Sequence, residues 1–388
     1  MFFLNKLNPK QSLFGIIVCI ALLAVLPFVA KELGGTTWVR IIDMALLYIM
    51  LALGLNIVVG FAGLLDLGYI AFYAVGAYAA ALLASGHLTD NFAFFQQHFP
   101  DGLHFSYWMI IPLGAMLAAI AGIMLGTPIL KLRGDYLALV TLGFGEIIRI
   151  FMNNWGKDGF NLTNGPRGIN RIDSVSVLGH PLDRAISIGN IHLTKEFLYY
   201  YLFLALVTIS IFVCYRLQAS RLGRAWMALR EDDIAAKAMG INVRNVKLLA
   251  FSLGATFGGV AGAMFAAFQG FISPESFSFM ESIVILTMVV LGGMGHIPGV
   301  ILGAVLLSLL PEFLRFTVEP LQQALFGTLL IDTAILRQLI LGLCMVLIML
   351  FRPRGLWPRP ERSRKKDDDI NNKPVATTAG AQGAHMEQ

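Results

Sequence analysis

Long apolar runs separated by short polar breaks recur along most of the chain. Each of the longest approaches the ~20 apolar residues that a bilayer-crossing helix needs. The runs fall at 13–30, 41–60, 67–85, 108–130, 135–152, 197–216, 247–270, 281–294, 297–311 and 334–351. They predict an all-α, polytopic membrane bundle of about 8–10 transmembrane helices. The runs 281–294 and 297–311 are short and flank Gly292-Gly-Met-Gly-His-Ile-Pro-Gly299, so this pair reads either as two crossings or as broken helices. The short link from Phe61 to Asp66 poses the same choice.

One stretch breaks the pattern. From Ser220 to Lys247 the chain is rich in charge, and its layout predicts a short helix outside the bilayer. Asp233 is placed to cap the N-terminus by accepting orphan backbone N–H groups. Gly240 is placed to end the helix in the left-handed conformation. Ile234, Ala235, Ala238 and Met239 make one small apolar face. A helix this short is not stable alone, so it needs a partner surface.

Composition fixes the class. The chain of 388 residues is 57% hydrophobic and 14% charged, with a mean hydropathy of +0.71. Soluble domains are about 45–50% apolar and about 25% charged, so this is an integral membrane protein. The net charge of +5 therefore speaks for topology and against nucleic acid, because cytoplasmic loops retain Lys and Arg. The basic tail (Arg352, Arg354, Arg359, Arg362, Arg364, Lys365, Lys366) is then cytoplasmic. Counting back through ten crossings puts 217–246 in the cytoplasm, 86–107 and 153–196 outside, and Lys6 and Lys10 inside. The result is an N-in, C-in topology: a cytoplasmic N-terminus at 1–12, a membrane domain at 13–351 and a cytoplasmic tail at 352–388, unstructured for most of its length. The external 153–196 carries Lys157, Arg167, Arg171, Arg184 and Lys195, and long loops obey the charge rule weakly. The first apolar run is read as a retained helix; a leader cleaved after Ala30 is the alternative. Cys19, Cys214 and Cys344 sit in apolar runs and read as packing residues.

Several positions invite both a packing and a functional reading. Gly254, Gly258 and Gly262 lie four apart on one helix face and let helices approach closely, within the chain or between subunits. Gly292, Gly293, Gly295, His296, Pro298 and Gly299 interrupt an apolar run, as at a tight turn or at a transporter gate. Asp43, Asp66, Glu146, Arg149, Glu281 and Arg337 are ionisable groups in or near apolar runs; interfacial snorkelling or pairing, Glu146 with Arg149, accounts for them. The chain lacks a Gly-x-x-x-x-Gly-Lys-Ser/Thr phosphate loop, His-Glu-x-x-His, Cys-x-x-Cys and Gly-x-Ser-x-Gly. The sequence therefore predicts a non-catalytic chain with no bound cofactor and no metal.

Longer motifs resemble a known family. Gly134-Asp-Tyr-Leu-Ala-Leu-Val-Thr-Leu-Gly-Phe-Gly-Glu-Ile-Ile-Arg149, Leu55-Asn-Ile-Val-Val-Gly-Phe-Ala-Gly63, Thr163-Asn-Gly-Pro-Arg-Gly-Ile169, Ser273-Pro-Glu-Ser-Phe277 and the run Met288 to Gly299 are similar to the M-type permeases of bacterial branched-chain amino-acid ABC importers. The resemblance covers roughly 40–357. It implies a permease of the bacterial inner membrane for leucine, isoleucine and valine. The implied partners are a homologous H-type permease in a heterodimer, two cytoplasmic ATPases that use ATP and Mg, an external solute-binding protein and lipid, but no nucleic acid. It also implies that the segment with Glu231, Asp233, Ala235, Ala236 and Gly240 is a coupling helix docking on an ATPase. Ile234 stands where the family motif has Glu, Leu64-Leu-Asp66 replaces a more polar stretch, and His296 replaces Ser or Thr. A permease for urea or other small amides, or an ion-coupled amino-acid transporter, is the alternative.

Overall fold

The computed structural model describes residues 22–32, 34–129, 132, 134–157, 160–177, 179–188, 191–326, 333–352 and 355–357. The predicted N-terminus at 1–12, the first half of the first apolar run and the tail beyond 357 lie outside the described residues.

Helices dominate. After helical turns at 22–32 (α1) come α2 (Thr36–Leu55), α3 (Ile70–Leu83), α4 (His87–Asn91), α5 (Ala93–His98), α6 (Tyr107–Ile129), α7 (Asp135–Asn154), α8 (Lys195–Ala219), α9 (Arg221–Glu231), α10 (Asp233–Ala238), α11 (Val243–Gln269), α12 (Phe279–Gly292), α13 (Ile297–Phe326) and α14 (Thr333–Phe351). Among the described residues, six helical segments are long and apolar enough to cross a membrane. This is a multi-pass helical membrane bundle, as the hydropathy pattern predicts. α12 has 14 residues, about 21 Å at 1.5 Å per residue, against a hydrocarbon core of about 30 Å. It is shorter than the six spanning segments, whereas α13 contains one of them, Ile297–Val318.

Two helices form the centre. α2 and α11 are buried along most of their length and pack on each other, and α3 packs against α11 and α6. Close approach is possible because α11 presents glycines. A Cβ on Gly262 would lie 2.1 Å from the Tyr73 carbonyl oxygen, and one on Gly254 would lie 2.5 Å from Val58. Gly258 meets Phe72 in the same way. The stripe at 254, 258 and 262 thus serves packing within the chain.

The two ends of the bundle differ. One end carries the loops around 86–106, 153–194 and 270–278. Here the predicted loop 153–196 forms short antiparallel hairpins, β1 (Gly156–Lys157) with β2 (Phe160–Asn161), β4 (Ser176–Val177) with β5 (His180–Pro181) and β6 (Ile186–Ile188) with β7 (Ile191–Leu193). β3 (Ile169–Asn170) pairs with β8 (Phe271–Ile272) directly after α11. The Asp173 N–H donates to the Ala84 carbonyl at 2.8 Å, so this loop also reaches the end of α3. The opposite end carries 61–69, 217–247, 293–296 and 352–357. Arg216, Arg221, Arg224, Arg230, Lys237, Arg244 and Lys247 make it the basic end.

Asp43 does not fit the snorkelling reading. It is fully buried on α2, and neither carboxylate oxygen finds a hydrogen-bond partner among the described residues. Glu281, at the start of α12, accepts a hydrogen bond from the Tyr48 hydroxyl at 3.0 Å. The side chain of Arg337 lies outside the described residues.

Candidate functional site

The polar segment is two helices, not one. α8 stops at Ser220, whose extended backbone lets its hydroxyl accept from the Gly223 N–H at 3.1 Å and start α9. α9 is amphipathic, with Gly223, Trp226 and Leu229 buried. The Trp226 Nε1–H donates to the Val246 carbonyl at 2.8 Å, which ties α9 to the first turn of α11.

α10 follows at once. Its cap is Asp232, not Asp233 as the sequence suggests. Asp232 has extended backbone, and its Oδ1 accepts from the N–H groups of Ile234 at 2.7 Å and Ala235 at 3.2 Å. Asp233 is free for another role and pairs with Lys247 Nζ at 2.6 Å. Lys247 is nearly buried, so this pair fastens α10 to α11.

The end of α10 is as predicted. Gly240 has φ +82°, and the Gly240 and Ile241 N–H groups return to the carbonyls of Lys237 and Ala236. This is the Schellman arrangement, which satisfies the last carbonyls and favours glycine. Ile234 is 68% exposed and Met239 83% exposed, with Ala235 and Ala238 also at the surface. Ala236, which the resemblance includes in the coupling segment, lies outside that face. Its side chain is buried against its own chain and takes no part in the exposed face.

The glycine-rich break lies beside this segment. Gly293 and Gly295 have φ of +114° and +83°, conformations that side chains with a Cβ rarely adopt. Pro298 falls in the first turn of α13, where no N–H partner is needed. A Cβ on Gly292 would lie 2.2 Å from the Gly299 carbonyl oxygen, so α12 and α13 touch through bare backbone. The segment after α14 covers the turn: the Leu356 and Trp357 N–H groups donate to the Leu291 and Gly292 carbonyls at 2.8 and 3.3 Å. The His296 and Trp357 rings lie 6.0 Å apart.

Two residues overlooked in the sequence join these parts. The last turns of the α2 segment widen into a π-helix, Asn56–Phe61. Such turns are rare and concentrate at functional sites. The buried Asn56 Oδ1 accepts from the Gly295 N–H at 2.8 Å. Arg230 Nη1 of α9 donates to the Gly60 carbonyl at 2.6 Å. Gln218 Nε2 reaches the Gly295 carbonyl at 3.4 Å. A Cβ on Gly60 would lie 2.0 Å from Asn56 Oδ1 and 2.5 Å from the Gly295 N. The polar segment, the π-turn and the glycine turn are therefore one hydrogen-bonded unit. Asn56 was visible as a lone amide in an apolar run; Arg230 was one charge among many.

The family model for the permease component of the branched-chain amino acid transport system matches residues 37–349. The chain belongs to this permease family. It is 43% identical over 371 residues to the high-affinity branched-chain amino acid transport system permease protein LivM of Escherichia coli, across 92% of this chain and 77% of LivM. The E. coli LivH permease protein is 27% identical, over 81% of this chain and 92% of LivH. A probable LivM permease protein of Methanocaldococcus jannaschii is 24% identical over 64% of this chain and 68% of that protein. No solved structure matches. The chain is a LivM-type permease.

Proposed function

We propose that this permease is the M-type half of an ATP-driven importer of leucine, isoleucine and valine in the bacterial inner membrane. It pairs with an H-type permease, receives substrate from an external binding protein and rests on two cytoplasmic ATPases. ATP and Mg are used by those partners and not by this chain. The exposed face of α10 (Ile234, Ala235, Ala238, Met239), with Glu231 and Gly240 at its ends, docks on an ATPase.

The observation that carries this reading is the double anchoring of the polar segment. α9–α10 is continuous with the membrane helices α8 and α11, and it is fastened to α11 by Trp226 and Asp233. Arg230 extends the connection to the π-turn and, through Asn56 and Gly295, to the glycine turn. Movement of α10 with a closing ATPase pair would then reach Gly292, Gly293, Gly295, His296, Pro298 and Gly299, where a gate would lie.

The test is reconstitution. The chain is assembled with its H-type partner, ATPases and binding protein in liposomes, and ATP-dependent uptake of labelled leucine, isoleucine and valine is measured. The reading expects uptake that requires every component. Uptake by this chain alone under a proton or sodium gradient would replace it with the ion-coupled alternative, and uptake of urea or another small amide instead of the three amino acids would move the substrate.

A further inference from the structure

α7 has three faces. Leu137, Thr141, Gly145 and Met152 are buried against the bundle. Tyr136, Leu139, Val140, Ile147, Ile150 and Phe151 are exposed and apolar, as lipid requires. Between them, Glu146, Arg149 and Asn153 follow one another at i, i+3 and i+7, half-exposed on one flank. Glu146 stands eight residues from the loop end of α7, about 12 Å along its axis.

A charge at that depth is costly against hydrocarbon and marks a polar pathway or partner. Yet this chain leaves the pair open: the side chains of Glu146 and Arg149 are 36% and 27% exposed. Arg149 is held from two sides. Its Nε and Nη2 turn back one turn deeper to Glu146, with Nε 3.0 Å from Oε1. Its Nη1 lies 3.8 Å from Glu275 Oε1, in the exposed turn before α12. Two carboxylates thus flank one guanidinium.

We infer that the flank Glu146–Arg149–Asn153, with Glu275 at its mouth, lines the amino-acid pathway and receives the substrate as a zwitterion. This rests on the importer reading above. The remaining Arg149 N–H groups suit the α-carboxylate. The carboxylates of Glu146 and Glu275, together one more than the single cation beside them, suit the α-ammonium. Leu139 and Ile150 border the flank on its exposed side and suit a branched aliphatic side chain.

The experiment uses the complete importer in proteoliposomes, with Cys19, Cys214 and Cys344 replaced by Ala and uptake first confirmed. Single cysteines at Glu146, Asn153, Val140 and Ile147 are exposed to a membrane-impermeant cationic methanethiosulfonate. Glu146→Cys and Asn153→Cys are expected to react about tenfold faster or more than Val140→Cys and Ile147→Cys, because only the thiolate formed in water is reactive. Separately, Arg149→Gln is expected to cut leucine uptake about tenfold or more, the loss of a charge-assisted hydrogen bond, with assembly and binding-protein-stimulated ATP hydrolysis within about twofold. The reversal Glu146→Arg/Arg149→Glu keeps an ion pair and is expected to leave uptake low; a purely structural pair would be rescued by it. Equal labelling of all four sites, or uptake by Arg149→Gln within about twofold, overturns the inference. If the wild-type importer carries no branched-chain amino acid while the flank still labels selectively, the substrate reading fails and the aqueous pathway stands.

Discussion

Arg230 Nη1 donates to the Gly60 carbonyl oxygen at 2.6 Å, across 170 residues of sequence. The donor sits on the helix that follows the polar turn at Ser220. The acceptor sits in the widened last turn of a buried membrane helix, where a π-turn frees carbonyls from the regular i to i−4 pattern. One hydrogen bond thus connects the segment that meets water with the segment that meets the glycine turn.

Removing that connection should separate ATP turnover from transport. A charged hydrogen bond contributes about 1.5–3 kcal/mol, so Arg230→Ala is expected to lower uptake about tenfold or more while ATP hydrolysis persists. Arg230→Lys retains the charge without the planar fork and should fall between. Parallel measurement of leucine uptake and phosphate release in one proteoliposome preparation checks this. Equal loss of both would mean the residue serves assembly instead.

Gly295 should tolerate nothing larger. Its φ of +83° disfavours any Cβ, and a Cβ there would sit 2.9 Å from the Gly60 carbonyl oxygen and 3.0 Å from Arg230 Nη1. Gly295→Ala is expected to cost about 1–2 kcal/mol locally and to impair uptake with the protein still inserted. Gly342→Ala, where a Cβ meets nothing within 4 Å, is the control and should behave as wild type. Thermal unfolding in detergent and uptake in vesicles are the two readouts.

The two neighbouring acids should behave differently. Asp232→Ala loses a helix cap, about 1 kcal/mol. Asp233→Ala leaves the nearly buried Lys247 ammonium unpaired, and breaking such a pair costs about 3–5 kcal/mol. Detergent-solubilised Asp233→Ala should therefore unfold at the lower temperature. The reverse order would remove the pair as the fastening of α10.

Gly240→Val tests docking. The left-handed turn is lost to a β-branched residue, although a Cβ meets nothing within 4 Å, so the bundle itself is not crowded. Membrane insertion should stay intact and ATP-driven leucine uptake should fall about tenfold or more, through the loss of a single correct α10 exit. Unchanged uptake would separate α10 from the coupling role.

The loop end should respond to pH. His104 Nδ1 lies 2.5 Å from Asp173 Oδ2, and this hydrogen bond raises the imidazole above its ordinary 6.5. A raised folded value means that the tie is fully present below the unfolded value and is lost as pH climbs through the folded one. Proteolysis of the intact protein from the loop side should therefore quicken as pH rises through that raised value, and His104→Gln should flatten that dependence.

Much of the fold was legible because lipid demands long apolar runs, and each run from 41 onward found its helix. Details that depend on distant contacts were not. The pairing of Ile169–Asn170 with Phe271–Ile272 joins strands of two residues about a hundred positions apart, too short to leave a pattern. The choice between Asp232 and Asp233 as cap turns on which backbone is extended, and adjacent identical residues cannot reveal that. Ala236 faces inward because of the phase of a six-residue helix, which periodicity does not fix. The glycine break was recognised as special, but its partners Asn56 and Arg230 come from other parts of the chain.

The strand-like stop at Leu356 and Trp357 has a consequence for biosynthesis. The carbonyls of Leu291 and Gly292 gain these donors only after some sixty further residues have been made. A nascent chain therefore carries this glycine turn uncovered until α14 has been made. The turn between α12 and α13 therefore acquires its cover later than any of the helices it joins.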